Sequence, residues 1–470
     1  MDRINQLLRP GSLPLYLRVF MLACFIALVV VGFSAYSSND NFLLQLRNFN
    51  LGNLIVWSYW WPLIVIGAVF LGRIWCFACP VELITSFFAK VGLKKKRPRF
   101  FLSGWGITLF YILILFGGIQ CLKIHRNPAY MSLYLLTIVA ASIGVGFLYE
   151  KNTFCRYLCP VGYLLGLYSR LSFLGWRVAN QDICRSCKDK SCVRVQYRYN
   201  LITKSCGVDL YPPDITGNDT CILCTGCLKT CDRYKPGTGS GRPNPGFRLI
   251  GFARDLLNIR PLKNAEILFV FVVSGFVISE ILSEWNVSRQ WLNFIPEMIL
   301  SLFPRSSPPL NGLIYGFFNF LLIPAILWAT PFILSLMLGL RISFSRFTSY
   351  FGLAFLPIMA AAHVSKGVLK ITSRLPYFQH IFSDISGMNT TRQFLNHSLI
   401  LHPNPLWMST LVSFFVSMFL ITGIVLSFRV TCRVGSTLFP AEPRAVVNYF
   451  IPIVYGALLF IPVLLWRWFL

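Results

Sequence analysis

Nine stretches of this chain are apolar for roughly 20 residues, the length a helix needs to cross the ~30 Å hydrocarbon core of a bilayer. They lie near 15–36, 53–72, 104–122, 128–148, 264–285, 311–340, 347–365, 407–428 and 446–469. Backbone amides in hydrocarbon must be satisfied within their own segment, so each stretch is expected to be a helix. The expected fold class is an all-α polytopic membrane protein of about nine transmembrane helices. Pro357 interrupts the seventh stretch, and His363, Lys366 and Lys370 crowd its far end, which makes it the weakest of the nine. A soluble fold is excluded by composition. With 55% hydrophobic and 13% charged residues, the chain has too few charges to cover 470 residues of water-exposed surface.

The excess of 43 Lys and Arg over 17 Asp and Glu reads as an orientation signal and not as a nucleic-acid surface. With the amino terminus in the cytoplasm, 33 of the 43 cations fall on that side, in 1–18, 73–103, 149–263, 341–346 and 429–444. The run Lys94-Lys95-Lys96-Arg97-Pro98-Arg99 is the strongest of these signals, and it also suits anionic lipid headgroups. The expected location is a bacterial inner membrane, with the amino terminus and the hydrophilic insertion cytoplasmic. The domains expected are residues 1–175 with four spans, a small extramembrane segment at 176–262, and residues 263–470 with five more.

Eight of the 15 cysteines fall between Cys184 and Cys231, in a segment too poor in apolar residues for a core of its own. Cys221-x2-Cys224-x2-Cys227-x3-Cys231 has the spacing by which a loop gives three thiolates to one cubane cluster and a fourth to its neighbour. Cys184-x2-Cys187-x4-Cys192, followed by Cys206, is a looser version. The crossed pattern assigns Cys184, Cys187, Cys192 and Cys231 to one 4Fe-4S cluster, and Cys206, Cys221, Cys224 and Cys227 to a second. A ferredoxin-like two-cluster insertion follows. Paired zinc sites are the alternative, but zinc ribbons use separated doublets, whereas Cys221 to Cys231 is one compact quartet. Lys188, Lys190, Arg194, Arg198, Lys204, Lys229, Arg233 and Lys235 form a basic shell that offsets cluster charge or docks an acidic redox partner.

Two more pairs stand where the second and fourth stretches end: Cys76 and Cys79 in Trp-Cys-Phe-Ala-Cys-Pro-Val, and Cys155 and Cys159 in Phe-Cys-Arg-Tyr-Leu-Cys-Pro-Val. Residues 15–90 and 104–170 therefore read as a diverged repeat, and a pseudo-twofold pairing of hairpins would let four thiolates share a third centre. Proline after each second cysteine suits the first turn of a helix, whose amides favour a thiolate at its start.

The two Cys-x2/3-Cys-Pro motifs, the ferredoxin-type run and the further spans resemble the polyferredoxin-type membrane iron–sulfur proteins of the NosR/NapH kind. The likeness covers roughly 50–260 and is closest over Phe154–Gly162. It implies electron relay between quinone or cytoplasmic donors and a membrane or periplasmic redox partner, within a larger membrane complex; any catalysis would be quinone oxidoreduction. It also admits maturation of a metallo-enzyme, by reduction of copper or another cofactor. A redox-regulated transporter is the third reading.

His363, His380, His397 and His402 all fall in or after the seventh stretch. His363 is the leading candidate among them for a haem, a copper ion (with Met388 or Met408) or a quinone headgroup. Glu280 and Glu284, one helical turn apart, could carry a proton from a quinol. No nucleotide-binding glycine loop or nucleophile elbow is present, which leaves hydrolase and dehydrogenase classes without support.

Overall fold

A computed structural model describes residues 1–194, 196, 198–200, 205–231, 244–303, 307–440 and 448–469. Lys204, Arg233 and Lys235 of the expected basic shell lie outside the described residues. Among those described, eight helices are long and apolar enough to cross a membrane: Ser12–Phe33, Leu51–Leu71, Pro128–Leu148, Asn264–Leu282, Pro308–Met337, Phe344–Ser373, Leu406–Leu438 and Ile451–Phe469. The expected third crossing is a shorter apolar helix, Trp105–Cys121. The chain is a mostly helical, multi-pass membrane protein.

Phe344–Ser373, the crossing expected to be weakest, is the most enclosed of the eight. A 3₁₀ turn at Gly352–Ala354 restarts the helix at Phe355–Ser373, so Pro357 sits in a first turn, where no earlier amide partner is lost. Of the polar residues that weaken its sequence signal, His363 is buried, and Lys366 and Lys370 are partly so.

The described residues divide into two compact units: 1–30, 66–107 and 133–255 in one, and 31–65, 108–132 and 256–470 in the other. In the second unit, helices approach closely through small residues. A Cβ added to Gly423 would stand 2.6 Å from that of Ala361, and one added to Gly275 would stand 2.2 Å from the Asn319 carbonyl oxygen. Thr108 donates across to the Ala265 carbonyl at 3.0 Å, and Ser427 to that of Ala354 at 2.7 Å.

The first unit departs from an all-helical expectation by one antiparallel ribbon, β1 (Leu174–Val178) with β2 (Pro245–Leu249), in the register Leu174–Leu249 to Val178–Pro245. The strands are some seventy residues apart, so local periodicity carries no sign of their pairing. The amino-terminal helix Asp2–Leu8 closes the ribbon's side. Asn5 donates to the Phe247 carbonyl at 3.2 Å and accepts from the Phe247 amide at 2.9 Å, and Arg248 pairs with Asp2 at 3.1 Å. Leu8, Trp176, Ile215, Leu228 and Phe247 pack around Cys221 and Cys227. The cysteine segment thus borrows apolar surface from the chain's first helix.

Candidate iron–sulfur site

Each membrane-edge cysteine pair is built the same way. A five-residue helix, Ile74–Ala78 or Thr153–Tyr157, carries Cys76 or Cys155. The second cysteine of the pair, Cys79 or Cys159, caps the next helix, Pro80–Val91 or Pro160–Tyr168, with proline at its start. Proline there costs no hydrogen bond, because a first-turn amide has no helical partner. The Gly162 amide donates to Cys159 Sγ at 3.3 Å. The fold brings all four residues within electrostatic reach of one another. Burial, and then the neighbouring thiols, push the Cys79 thiol up, and burial, then the Glu82 carboxylate and the neighbouring thiols, push the Cys155 thiol up. Burial raises Cys159 to about 11 against the help of the Gly162 amide.

Three charged residues hold this arrangement, and none stands out in sequence. Arg18, in the first span, pairs with Glu82 at 2.7 Å and donates to the Phe77 carbonyl at 2.9 Å, between the two cysteines of the first pair. Glu82 also accepts from Asn152 at 2.6 Å and Ser86 at 2.9 Å, which ties the first pair's helix to the residues just before Cys155. Arg73 is buried and donates to the Asp219 carbonyl at 3.0 Å. Burial opposes its charge, but the Cys76, Cys159 and Cys221 thiols around it raise its pKa.

In the hydrophilic segment, Cys184, Cys187, Cys192 and Cys231 line one hollow that opens to solvent, and Cys227 stands at its wall. Cys206 lies with Cys221, Cys224 and Cys227 instead. The loop that carries this second group turns through left-handed backbone at Leu223 (φ 50°) and Thr225 (φ 62°), both buried. Non-glycine residues adopt that conformation at a cost of order 1–3 kcal/mol, and such strain concentrates at functional sites. Amides and side chains aim at the sulfurs: Trp176 Nε1–H to Cys227 Sγ at 3.1 Å, Asn244 Nδ2–H to Cys184 Sγ at 2.9 Å, and the Leu210 amide to Cys206 Sγ at 3.3 Å. Burial raises the Cys221 and Cys192 thiols to about 12 each, and pushes Cys227 up as well.

The three groups lie in sequence through the unit. Cys227 connects the first hollow to the second group, and Cys76 and Cys155 pack beside Cys206, Cys224 and Val208 at the third. Among the described residues, no three His, Cys, Asp or Glu side chains close on one point as they would around a single ion. The donor chemistry is sulfur throughout, and the corners of a cubane stand further apart than the ligands of one ion.

Part of the expected basic shell is committed to structure. Arg198 lies within 3.8 Å of Glu150 and 4.0 Å of Asp209; Arg97 and Lys151 bind Asp209 closely. Burial raises the Asp209 carboxyl, but Lys151 and Arg97 outweigh it and hold the group below its usual range.

In the second unit, His363 lines a small hollow with Trp61, Phe276, Glu280, Lys366 and Lys370. Among the described residues no other histidine lines it, and neither Met388 nor Met408 does. His380, His397 and His402 are not gathered there, so the structure assembles no histidine group for haem or copper among the described residues. Glu280 and Glu284 both pair with Lys366, the first at 3.3 Å.

The family described as a 4Fe-4S binding domain matches this chain twice, at residues 53–99 and 131–179. Each match encloses one membrane-edge cysteine pair. The chain is similar to two uncharacterized proteins of Methanocaldococcus jannaschii, at 26% identity over 215 and 226 residues. Each alignment covers 44% of this chain, and 79% and 90% of those proteins respectively. It is also similar to the regulatory protein NosR of Pseudomonas aeruginosa, at 22% identity over 209 residues, 41% of this chain and 26% of NosR. No solved structure matches. The spans, the two domain matches and the likeness to NosR support a NosR-like iron–sulfur membrane protein.

Proposed function

We propose that this chain is a membrane-bound electron-transfer protein with three 4Fe-4S centres. They are held by Cys184, Cys187, Cys192 and Cys231; by Cys206, Cys221, Cys224 and Cys227; and by Cys76, Cys79, Cys155 and Cys159. The observation that carries this reading is the convergence of two cysteine pairs, eighty residues apart, each inside its own match to a 4Fe-4S binding domain, beside the second ferredoxin-type group. Each centre would exchange one electron at a time, with the chain supplying thiolates, sulfur-directed hydrogen bonds and the buried Arg73 cation. Residues 176–262 act as a ferredoxin-like insertion on the cytoplasmic side of a bacterial inner membrane, an orientation supported by the Lys94–Arg99 run. The donor or acceptor at the other end is a redox protein or a quinone, whose headgroup would sit at His363 in the hollow beside Lys366 and Glu280.

Iron and acid-labile sulfide counts on the purified chain, with low-temperature electron paramagnetic resonance after reduction, test this reading. About twelve irons with matching sulfide are expected for three cubanes, and about eight would remove the membrane-edge centre. Zinc without sulfide would overturn the electron-transfer reading. Proteolysis of oriented vesicles tests the sidedness: the hydrophilic segment should be cut only from the cytoplasmic face.

A further inference from the structure

The second unit gathers cations that its own carboxylates do not balance. Arg47 lies on the helix Asp40–Phe49, His125 and Arg126 in the turn after Trp105–Cys121, Lys366 and Lys370 on Phe344–Ser373, and Arg374 at that helix's end. Asn53 fastens two of these segments together, donating to the Arg47 carbonyl at 3.2 Å and the His125 carbonyl at 3.4 Å. Arg47 is within electrostatic reach of Arg126 and Arg374, and Lys370 of Arg47 and Arg374. The acids in reach are Glu280 and Glu284, and Lys366 engages both. Among the described residues, Arg47, Arg126, Lys370 and Arg374 form no ion pair. Arg47 Nε and His125 Nδ1 are buried without a hydrogen-bond partner.

Like charges at the edge of a membrane domain repel in a poorly screened medium, and the repulsion is felt at Arg47, whose pKa falls to about 10 through burial and then through Arg374 and Arg126. A cluster of this kind is stable when an anion shares it. Guanidinium forks match the paired oxygens of a phosphate, and three of the four unpaired cations are arginines.

We infer that Arg47, Arg126, Lys370 and Arg374 form a phosphate-binding site, for an acidic phospholipid headgroup or for free phosphate. The adjoining hollow, walled by Trp61, Pro62, Val65 and Phe276, offers apolar surface beside the charge. This inference goes beyond the electron-transfer reading and does not depend on the clusters.

The test uses the full chain, delipidated in detergent. Phosphatidylglycerol in phosphatidylcholine nanodiscs is one probe, read by native mass spectrometry of the released protein. Inorganic phosphate is the other, read by the shift of the thermal unfolding midpoint. The wild type should retain one phosphatidylglycerol, or be stabilised by millimolar phosphate, and the double variant Arg47→Gln/Arg374→Gln should bind the same probe at least tenfold more weakly. Arg392→Gln, an exposed charge change in the same unit, should bind as the wild type does. Retention of phosphatidylglycerol alone identifies a lipid site, and a response to phosphate alone identifies a free oxyanion. A cooperative unfolding transition within a few degrees of the wild type's, measured without either probe, establishes that the double variant is folded; if it does not fold, Arg374→Gln alone replaces it. A wild type that binds neither probe, or folded variants that bind as well as it does, would overturn the inference.

Discussion

The indole N–H of Trp176 points at the sulfur of Cys227 from 3.1 Å, inside a core that leaves neither side chain appreciably exposed to water. The same β-ribbon positions Asn244, one residue before β2, to donate to Cys184 Sγ at 2.9 Å. One short sheet therefore directs one side-chain donor to each of the two ferredoxin-type groups.

Hydrogen bonds to a cluster's sulfurs favour its reduced, more negative state. Trp176→Phe should lower the potential of the Cys206, Cys221, Cys224 and Cys227 centre alone. A net hydrogen bond of ~0.5–1.5 kcal/mol corresponds to roughly 20–60 mV at one electron. Asn244→Leu should do the same to the other centre. Redox titration followed by paramagnetic resonance reads both, and equal shifts of both signals in either variant would refute the assignment.

Cys76→Ser with Cys159→Ser removes half of the proposed membrane-edge ligands. Iron should fall by about four per chain, with two reduced-cluster signals left unchanged. Retention of the full iron content in this variant would show that these cysteines hold no centre.

Arg18 and Glu82 form an ion pair in which each side chain is 3% exposed. Arg18→Met strands a buried carboxylate, at a cost of about 3–5 kcal/mol. The neutral pair Arg18→Met/Glu82→Gln should recover most of that loss. Denaturant midpoints in detergent decide it, and a double variant as unstable as the single one would mean that the charge was not the cause.

His125 is held neutral in the fold at a pKa of about 3, by burial and then by the Arg126 charge, against 6.5 for an ordinary imidazole. A depressed histidine binds its proton more readily when unfolded. Its contribution to stability is therefore complete above pH 6.5 and lost progressively as pH falls toward 3. Thermal midpoints should decline from pH 7 to pH 5, and less steeply in His125→Gln. Identical slopes in the two proteins would place the acid sensitivity elsewhere.

The membrane class was legible because a bilayer demands about 20 apolar residues per helical crossing, a local property of the chain. Spacing suggested how to group the cysteines: Cys231 with the upstream trio, Cys206 with the downstream one, and the two Cys-Pro pairs with each other. What surrounds them was not. Trp176, Asn244, Arg18, Arg73 and Glu82 are ordinary residues in sequence, and they acquire a role through neighbours 51 to 146 positions away. Phe344–Ser373 was read as a crossing, and its signal was the weakest because hydropathy measures fitness for lipid, whereas most of this helix is buried inside the protein.

Sequence by itself determined that the chain spans a membrane repeatedly and carries thiols spaced for iron–sulfur clusters, since both are encoded in short-range pattern. Tertiary structure alone decided which charges approach those thiols, which donors face their sulfurs, and that Arg47, Arg126, Lys370 and Arg374 come together. Electrostatic and hydrogen-bond partners are chosen by distance in space, and helices that pack side by side bring together residues that the chain keeps far apart.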